Sequence, residues 1–391
     1  MTALRAAPLL AALTLAACAT GARRASDSPM TSLRPAGVSE RAMRVYRDAY
    51  VIDTHNDMPS KVVDDGYDPD VRHEPGFGPQ TGHTDLPRLV QSGLTAEFMS
   101  AFVDAPFART APDSSFERAM RLSDSVHAFV GRHPEQLLFA TTAADVRRAK
   151  REGKVAILIG VEGGHAIESS LDNLRALHRR GVRYLTLTWN NGNDWAGSSI
   201  GLDGTRTGGL TDFGREVVRE MNRIGMLVDL SHVSEPTFFD AVAASRLPVI
   251  ASHSSARALN DHPRNLSDAQ LLAVKRNGGV VNVNFFSRFI DPNVLRAFNA
   301  KQEPLPTTPL SVLIDHIDHV AKVAGVDHVG LGSDFDGVSA LPDGMEDVTM
   351  LPRIAQSLLD RGYSEGDVRK ILGGNMLRVM EQALDRVVAP E

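Results

Sequence analysis

From Tyr50 onward, short apolar runs rich in β-branched residues alternate with amphipathic stretches of helical period, and this alternation constrains the fold more than any other feature. Strands are predicted at Tyr50–Thr54, Thr95–Phe102, Val155–Gly160 and Val182–Thr188, then at Met226–Leu230, Pro248–Ser252, Gly279–Phe285 and His328–Gly332. Helical patterns lie at Leu171–Arg180, Asp212–Ile224, Glu235–Ser245, Asp268–Asn277, Leu310–Ala324, Met350–Arg361 and Ser364–Leu384. Strands that alternate with helices pair in parallel through helical crossovers. Eight of them in about 340 residues predict the α/β class and a single (β/α)8 TIM barrel, whose site lies at the C-terminal ends of the strands. A doubly wound open sheet is the alternative, but the Gly-rich turn such sheets carry after the first strand is absent. The stretch Lys61–Asp85, rich in Pro, Gly and Asp, is expected to form a long loop over the barrel mouth.

The N-terminus follows different rules. Arg5 precedes an Ala/Leu-rich run from Ala6 to Ala17. That run is too short to span a membrane, which takes about 20 residues. It ends in Leu15-Ala16-Ala17-Cys18, which resembles the lipobox of bacterial lipoproteins, and Cys18 is the only cysteine of the chain. Residues 1–18 are therefore read as a lipoprotein signal peptide, 19–38 as a flexible tether and 39–391 as the barrel domain. An exported, membrane-anchored lipoprotein of the bacterial envelope, on the periplasmic side, is the expected location. With one cysteine the mature fold cannot rest on disulfides. A net charge of −6 and the lack of a long Lys/Arg run argue against nucleic acid as a partner. A homodimer is compatible with the sequence.

Thirteen histidines mean little singly, but their positions matter. The first strand leads into His55-Asn56-Asp57, the third ends at Glu162 between Val161 and Gly163, and the fifth leads into Asp229-Leu230-Ser231-His232. The sixth leads into His253 and the eighth into Asp334. Five strands thus deliver His, Asp or Glu to the same end of one barrel, where barrel enzymes carry their sites. On extended chain, residues i and i+2 point the same way, so His55 and Asp57 are expected to reach one ion. Imidazole and carboxylate without thiolate suit zinc. Five donors are too many for one tetrahedral ion and enough for two, with Glu162 bridging ions about 3.5–4 Å apart and a shared hydroxide as nucleophile. Asp334 is left as the acid/base group.

Beyond single residues, the segments VIDTHNDMP (51–59), GVEGGHAIESSLDNLRAL (160–177), RYLTLTW (183–189), LVDLSHVS (227–234), PVIASHSSARAL (248–259), PRNLSD (263–268) and VGLGSDFDGV (329–338) resemble the membrane (renal) dipeptidases, zinc hydrolases with an amidohydrolase-like barrel. The resemblance runs from about residue 45 to 380. It implies that His55 and Asp57 bind one zinc, that His232 and His253 bind the other, and that Glu162 bridges them. It also implies that Asp334 is catalytic and that Arg264 pairs with the substrate's terminal carboxylate. One departure stands out. Trp189 occupies the position of a family histidine that helps polarise the scissile carbonyl, and Asn190 and Asn191 follow as candidate substitute donors. His165 reads as structural.

The resemblance implies a two-zinc dipeptidase that accepts a D-residue on the C-terminal side. A related N-acyl-amino-acid amide hydrolase is the alternative within enzymes, and a peptide-binding lipoprotein without turnover is the alternative outside them.

Overall fold

The computed structural model describes residues 34–385. Its strands are β1 (Ile52–Asn56), β2 (Ala96–Phe102), β3 (Leu137–Phe139), β4 (Val155–Glu162), β5 (Val182–Thr186), β6 (Leu227–Asp229), β7 (Ile250–Ala251), β8 (Val280–Val283) and β9 (Val329–Leu331). All but β3 fall on predicted runs. β2 pairs with both β1 and β4, β1 pairs with β9, and parallel pairs from β4 through β9 complete a closed ring of eight. This is the (β/α)8 barrel read from the alternation, and the open sheet is excluded.

Two departures concern the strands, and the helix predicted over Ser364–Leu384 is interrupted by a π-helical turn at Lys370–Gly374. β1 runs later than predicted because the Val51 N–H is taken by the Thr95 hydroxyl at 3.1 Å instead of a ladder carbonyl, and the strand continues to Asn56. β3 was not predicted: it has three residues and pairs only with the first half of β4, from Leu137 opposite Val155 to Phe139 opposite Ile157. It lies between the helices Ser114–Arg132 and Ala143–Glu152, in a stretch where no element was predicted.

Strands buried on both faces carry near-continuous apolar sequence, and all eight residues of β4 are buried. On the outer faces, Met99, Val161, Leu185 and Val281 share one core with Leu174, Val217, Leu271 and Leu313 of the surrounding helices. At the N-terminal end of the barrel, Ile52, Phe98, Leu158, Tyr184 and Ile250 pack with Met376 and Met380 of the helix Asn375–Ala383. Gly373 permits that approach, since a Cβ there would lie 2.1 Å from the Tyr50 carbonyl oxygen. The helices begin where side chains cap them: Ser170, Thr211, Ser234 and Ser267 each accept from the backbone N–H three residues on.

Val38 is already buried, packed with Met43 and Leu359, so the domain's packing begins at the last residue assigned to the tether. Cys18 and the expected signal peptide lie outside the described residues. Among the described residues, no helix is long and apolar enough to cross a membrane. The loop after Lys61 does flank the mouth. Arg88 pins its base, donating to Asp85 Oδ2 and the Gly82 carbonyl at 2.7 Å each. His83 and Asp336 tie that same end to the turn after β9: the His83 N–H donates to Asp336 Oδ1 and the Asp336 N–H to His83 Nδ1, both at 2.8 Å.

Candidate metal centre

His55 lies in β1, Glu162 ends β4, and Asp57, His232, His253 and Asp334 follow within three residues of β1, β6, β7 and β9. Closure of the ring brings these ends together. Nε2 of His55 is 3.4 Å from Asp57 Oδ2 and 3.4 Å from Glu162 Oε2. The other oxygen of Glu162 lies 2.7 Å from His232 Nε2 and 3.5 Å from His253 Nε2, and those two nitrogens are 2.9 Å apart. Two donor groups, His55–Glu162–His253 and His55–Asp57–Asp334, each fit within a 4.8 Å span. Asp57 arrives there by a different route from the one expected. It lies beyond the strand with φ −97° and ψ 16°, after a register shift in β1, so a turn and not the i, i+2 alternation aims its carboxylate.

The opposite face of each donor is held. Tyr184 on β5, across the barrel, meets His55 Nδ1 at 2.9 Å. Its ring occupies the space over Gly160, where a Cβ would lie 1.9 Å from it. His253 Nδ1 meets the Ser252 hydroxyl at 2.8 Å, and that hydroxyl donates to the buried Asp229 at 2.6 Å. His232 Nδ1 meets Asn190 Oδ1 at 3.0 Å, and Asn284 Nδ2 donates to Asp334 Oδ2 at 2.8 Å. With Nδ1 engaged, each imidazole presents Nε2 inward, the arrangement that orients metal ligands. Gly337 makes room for the carboxylates, because a Cβ there would lie 2.1 Å from Asp57 Oδ2 and 2.7 Å from Asp334 Oδ1.

The electrostatics of the cluster call for a cation. Burial pushes the Glu162 carboxyl up to about 7 against the pull of His55. Burial also raises Asp334, with His55 opposing and Asp57 adding to the rise. Burial works against a charge on His55, yet Tyr184, Asp57 and Glu162 together push it well above the usual histidine range. His232 and His253 are driven well below that range, mainly by burial, and are neutral, the form that ligates metal. His55 Nε2 and Asp57 Oδ1 are buried without a hydrogen-bond partner. These residues therefore fit a metal ion by donor type, by convergence and by unmet charge.

A cavity of about 630 Å³ opens above the cluster, and Arg264, Trp189 and Asn190 line it with Phe102, Ile200, Phe286 and Phe289. Arg264 is 3% exposed; it donates to the His253 carbonyl at 3.2 Å, and its Nε has no partner. Burial lowers it to about 10, with Asp334 and Glu162 opposing, so it stays charged at neutral pH. The Trp189 ring packs 4.9 Å from Phe102 and 6.3 Å from His232. Asn190 reaches the site, but its carboxamide oxygen is committed to His232. Asn191 does not join them: buried, with Nδ2 3.5 Å from His165 Nδ1, it lines a neighbouring cavity with Phe107 and Trp195. Consecutive residues past a strand end point to different sides, which the sequence reading did not separate. That reading also missed Tyr184, Ser252 and Asn284, whose only trace in the sequence is a polar or Tyr position inside or beside an apolar strand.

The profile of the membrane dipeptidase family (peptidase family M19) matches residues 39–388. Among solved structures, a probable dipeptidase from Pseudomonas aeruginosa is similar at 26% identity and TM-score 0.79, over 89% of this chain and 98% of that one. A metallopeptidase from Rhodobacter sphaeroides, liganded with a phosphinate mimic of the dipeptide L-Ala-D-Ala, is similar at 27% identity and TM-score 0.74, over 86% of this chain and 99% of that one. An amidohydrolase from Pseudomonas aeruginosa is similar at 25% identity and TM-score 0.71, over 88% and 99% of the two chains.

Proposed function

Since the chain belongs to the membrane dipeptidase family and is a dipeptide-hydrolysing metallopeptidase, we propose that it works with two zinc ions and accepts dipeptides with a C-terminal D-residue. His55 and Asp57 would hold one ion, His232 and His253 the other, and Glu162 both. One observation carries this reading: the two oxygens of Glu162 are divided, one towards His55 and the other towards His232 and His253. The ligand on the Rhodobacter relative supports the stereochemistry.

When bound, zinc lowers the pKa of water towards about 7 and polarises a carbonyl oxygen. The chain's own residues do the rest. Asp334 has Oδ2 fixed by Asn284, which leaves Oδ1 facing the ligand cluster. From there it takes the proton of the attacking water and delivers it to the departing amine. Arg264, whose buried Nε has no partner and whose Nη2 donates to the His253 carbonyl, binds the substrate's terminal carboxylate through its planar fork. Trp189 and Phe102 cover one side of the pocket and exclude water from the reacting bond. Cys18, following its short apolar run, would tether the enzyme to a membrane through lipid.

The test is a metal count on zinc-loaded protein together with turnover on a panel of L,L-, L,D- and D,L-dipeptides. Two ions per chain with hydrolysis of L,D substrates is expected. In Glu162→Gln both ions should be weakened together; full retention of both would remove the bridging role.

A further inference from the structure

The pocket wall that carries Arg264 holds a second guanidinium. Arg288 lies in the short helix Ser287–Ile290 after β8 and lines the same cavity. It is half-buried, with Nε enclosed and without a hydrogen-bond partner. Burial alone lowers its pKa; no acidic group offsets the loss. Many arginines of the domain pair with carboxylates, as in Arg118 with Asp64, Arg132 with Asp70 and Arg175 with Glu220, and others such as Arg183 and Arg378 donate to backbone carbonyls. A desolvated cation at a pocket wall with no anion of its own is a place where a ligand's anion gains most.

The geometry also fixes the guanidinium. Its plane rests on the Phe298 ring at 3.7 Å, which restrains it while leaving its N–H edge available. Arg264 lies 5.3 Å over the ring of Phe289, the residue next to Arg288 in the chain, and the His262 ring packs on Phe289 at 4.5 Å. His262 is held neutral by burial and by both arginines, so it adds no charge between them.

We propose that Arg288 is a second carboxylate-binding residue, and that the preferred dipeptides carry an acidic side chain on their C-terminal residue. This rests on the dipeptidase reading above, with Arg264 as the anchor of the terminal carboxylate. Whatever group branches from the anchored residue lies beside Arg264, and Arg288 is the cation the same wall offers it. Such a substrate is a dicarboxylate, one charge for each guanidinium.

The test compares shape-matched pairs on the zinc-loaded enzyme: Ala-Glu with Ala-Gln and Ala-Asp with Ala-Asn, each with an L- and a D-residue at the C-terminus. Their charges differ while their volumes do not. In the wild type the acid should exceed the amide in kcat/KM by about ten- to a hundred-fold, the usual worth of a charge-assisted hydrogen bond. Arg288→Gln should bring that ratio below about three, and Arg288→Lys should keep part of it. The ratio is the readout, with a thermal melt showing that each variant is folded. A wild-type ratio near one, or a ratio untouched by Arg288→Gln, overturns the proposal. Binding of free glutamate against glutamine, measured by calorimetry on the same proteins, decides the role of Arg288 without turnover. Failure to hydrolyse any dipeptide would then count against the dipeptidase reading, while the glutamate preference still stands or falls by itself.

Discussion

Tyr184 is the most exacting place to test how the barrel positions its metal ligands. Its hydroxyl meets His55 Nδ1 at 2.9 Å, and both residues are fully buried. With Nε2 turned to a metal, Nδ1 must carry the proton, and the tyrosine oxygen accepts it. Tyr184→Phe keeps the ring in its place over Gly160 and deletes only that acceptor. The stranded N–H costs about 1–3 kcal/mol of stability. Loss of a partner behind a ligating histidine lowers metal affinity by about 10–100-fold. Chelator competition on the holoenzyme reads the affinity, and denaturant unfolding reads the stability. Gly160→Ala reaches the same bond by another path, because its methyl would sit 1.9 Å from the ring and displace it. The losses in the double variant should therefore fall well short of additive, since both substitutions remove one contact. Unchanged metal affinity in Tyr184→Phe, or strict additivity with Gly160→Ala, would refute the argument that Tyr184 orients His55.

Asp334→Asn should retain its metals and lower kcat by about 10²–10⁴-fold, the range of general acid–base help; metal loss equal to the activity loss would make Asp334 a ligand first. Trp189→His should change the order of preferred dipeptides at constant metal content, and an indifferent substrate profile would place the indole outside substrate contact. Cys18→Ser should move the protein from the membrane fraction to the soluble fraction or leave an unprocessed precursor, and unaltered membrane attachment would end the lipid-anchor proposal.

The barrel was legible because strands buried on both faces leave largely apolar runs, most plainly in β4, that alternate with polar-faced helices. β3 was not: Leu137–Phe139 stands outside the ring and pairs only with the start of β4, so no alternation of ring strands and helices points to it. The six clustered side chains were legible for a related reason: each is a His, Asp or Glu within or just beyond an apolar run, where packing alone calls for none. Their supports leave weaker marks. Tyr184 reads as one more core aromatic of β5, and its partner lies 129 residues away, three strands round the ring. Asn190 and Asn191 read alike in sequence, yet only one turns towards His232, and that choice is made by the loop beyond β5.

The backbone of these turns bears on function as well. His232, Asp334 and Asp336 have φ of 68°, 65° and 66°, in the left-handed region that glycine fills without strain. The chain does use glycine close by, at Gly163 with φ 108°, immediately after Glu162. At the other three positions a glycine would relieve the backbone and remove a side chain from the site. His and Asp are among the residues that tolerate this conformation best, which limits the cost to the order of 1 kcal/mol each. The left-handed turns let the chain reverse just past β6 and β9 while still projecting an imidazole or a carboxylate inward. Positive φ also occurs at residues away from the cluster, such as Asp113 and Lys301, so it is the direction of the side chain that matters, and at His232 and Asp334 that side chain faces the cluster around Glu162.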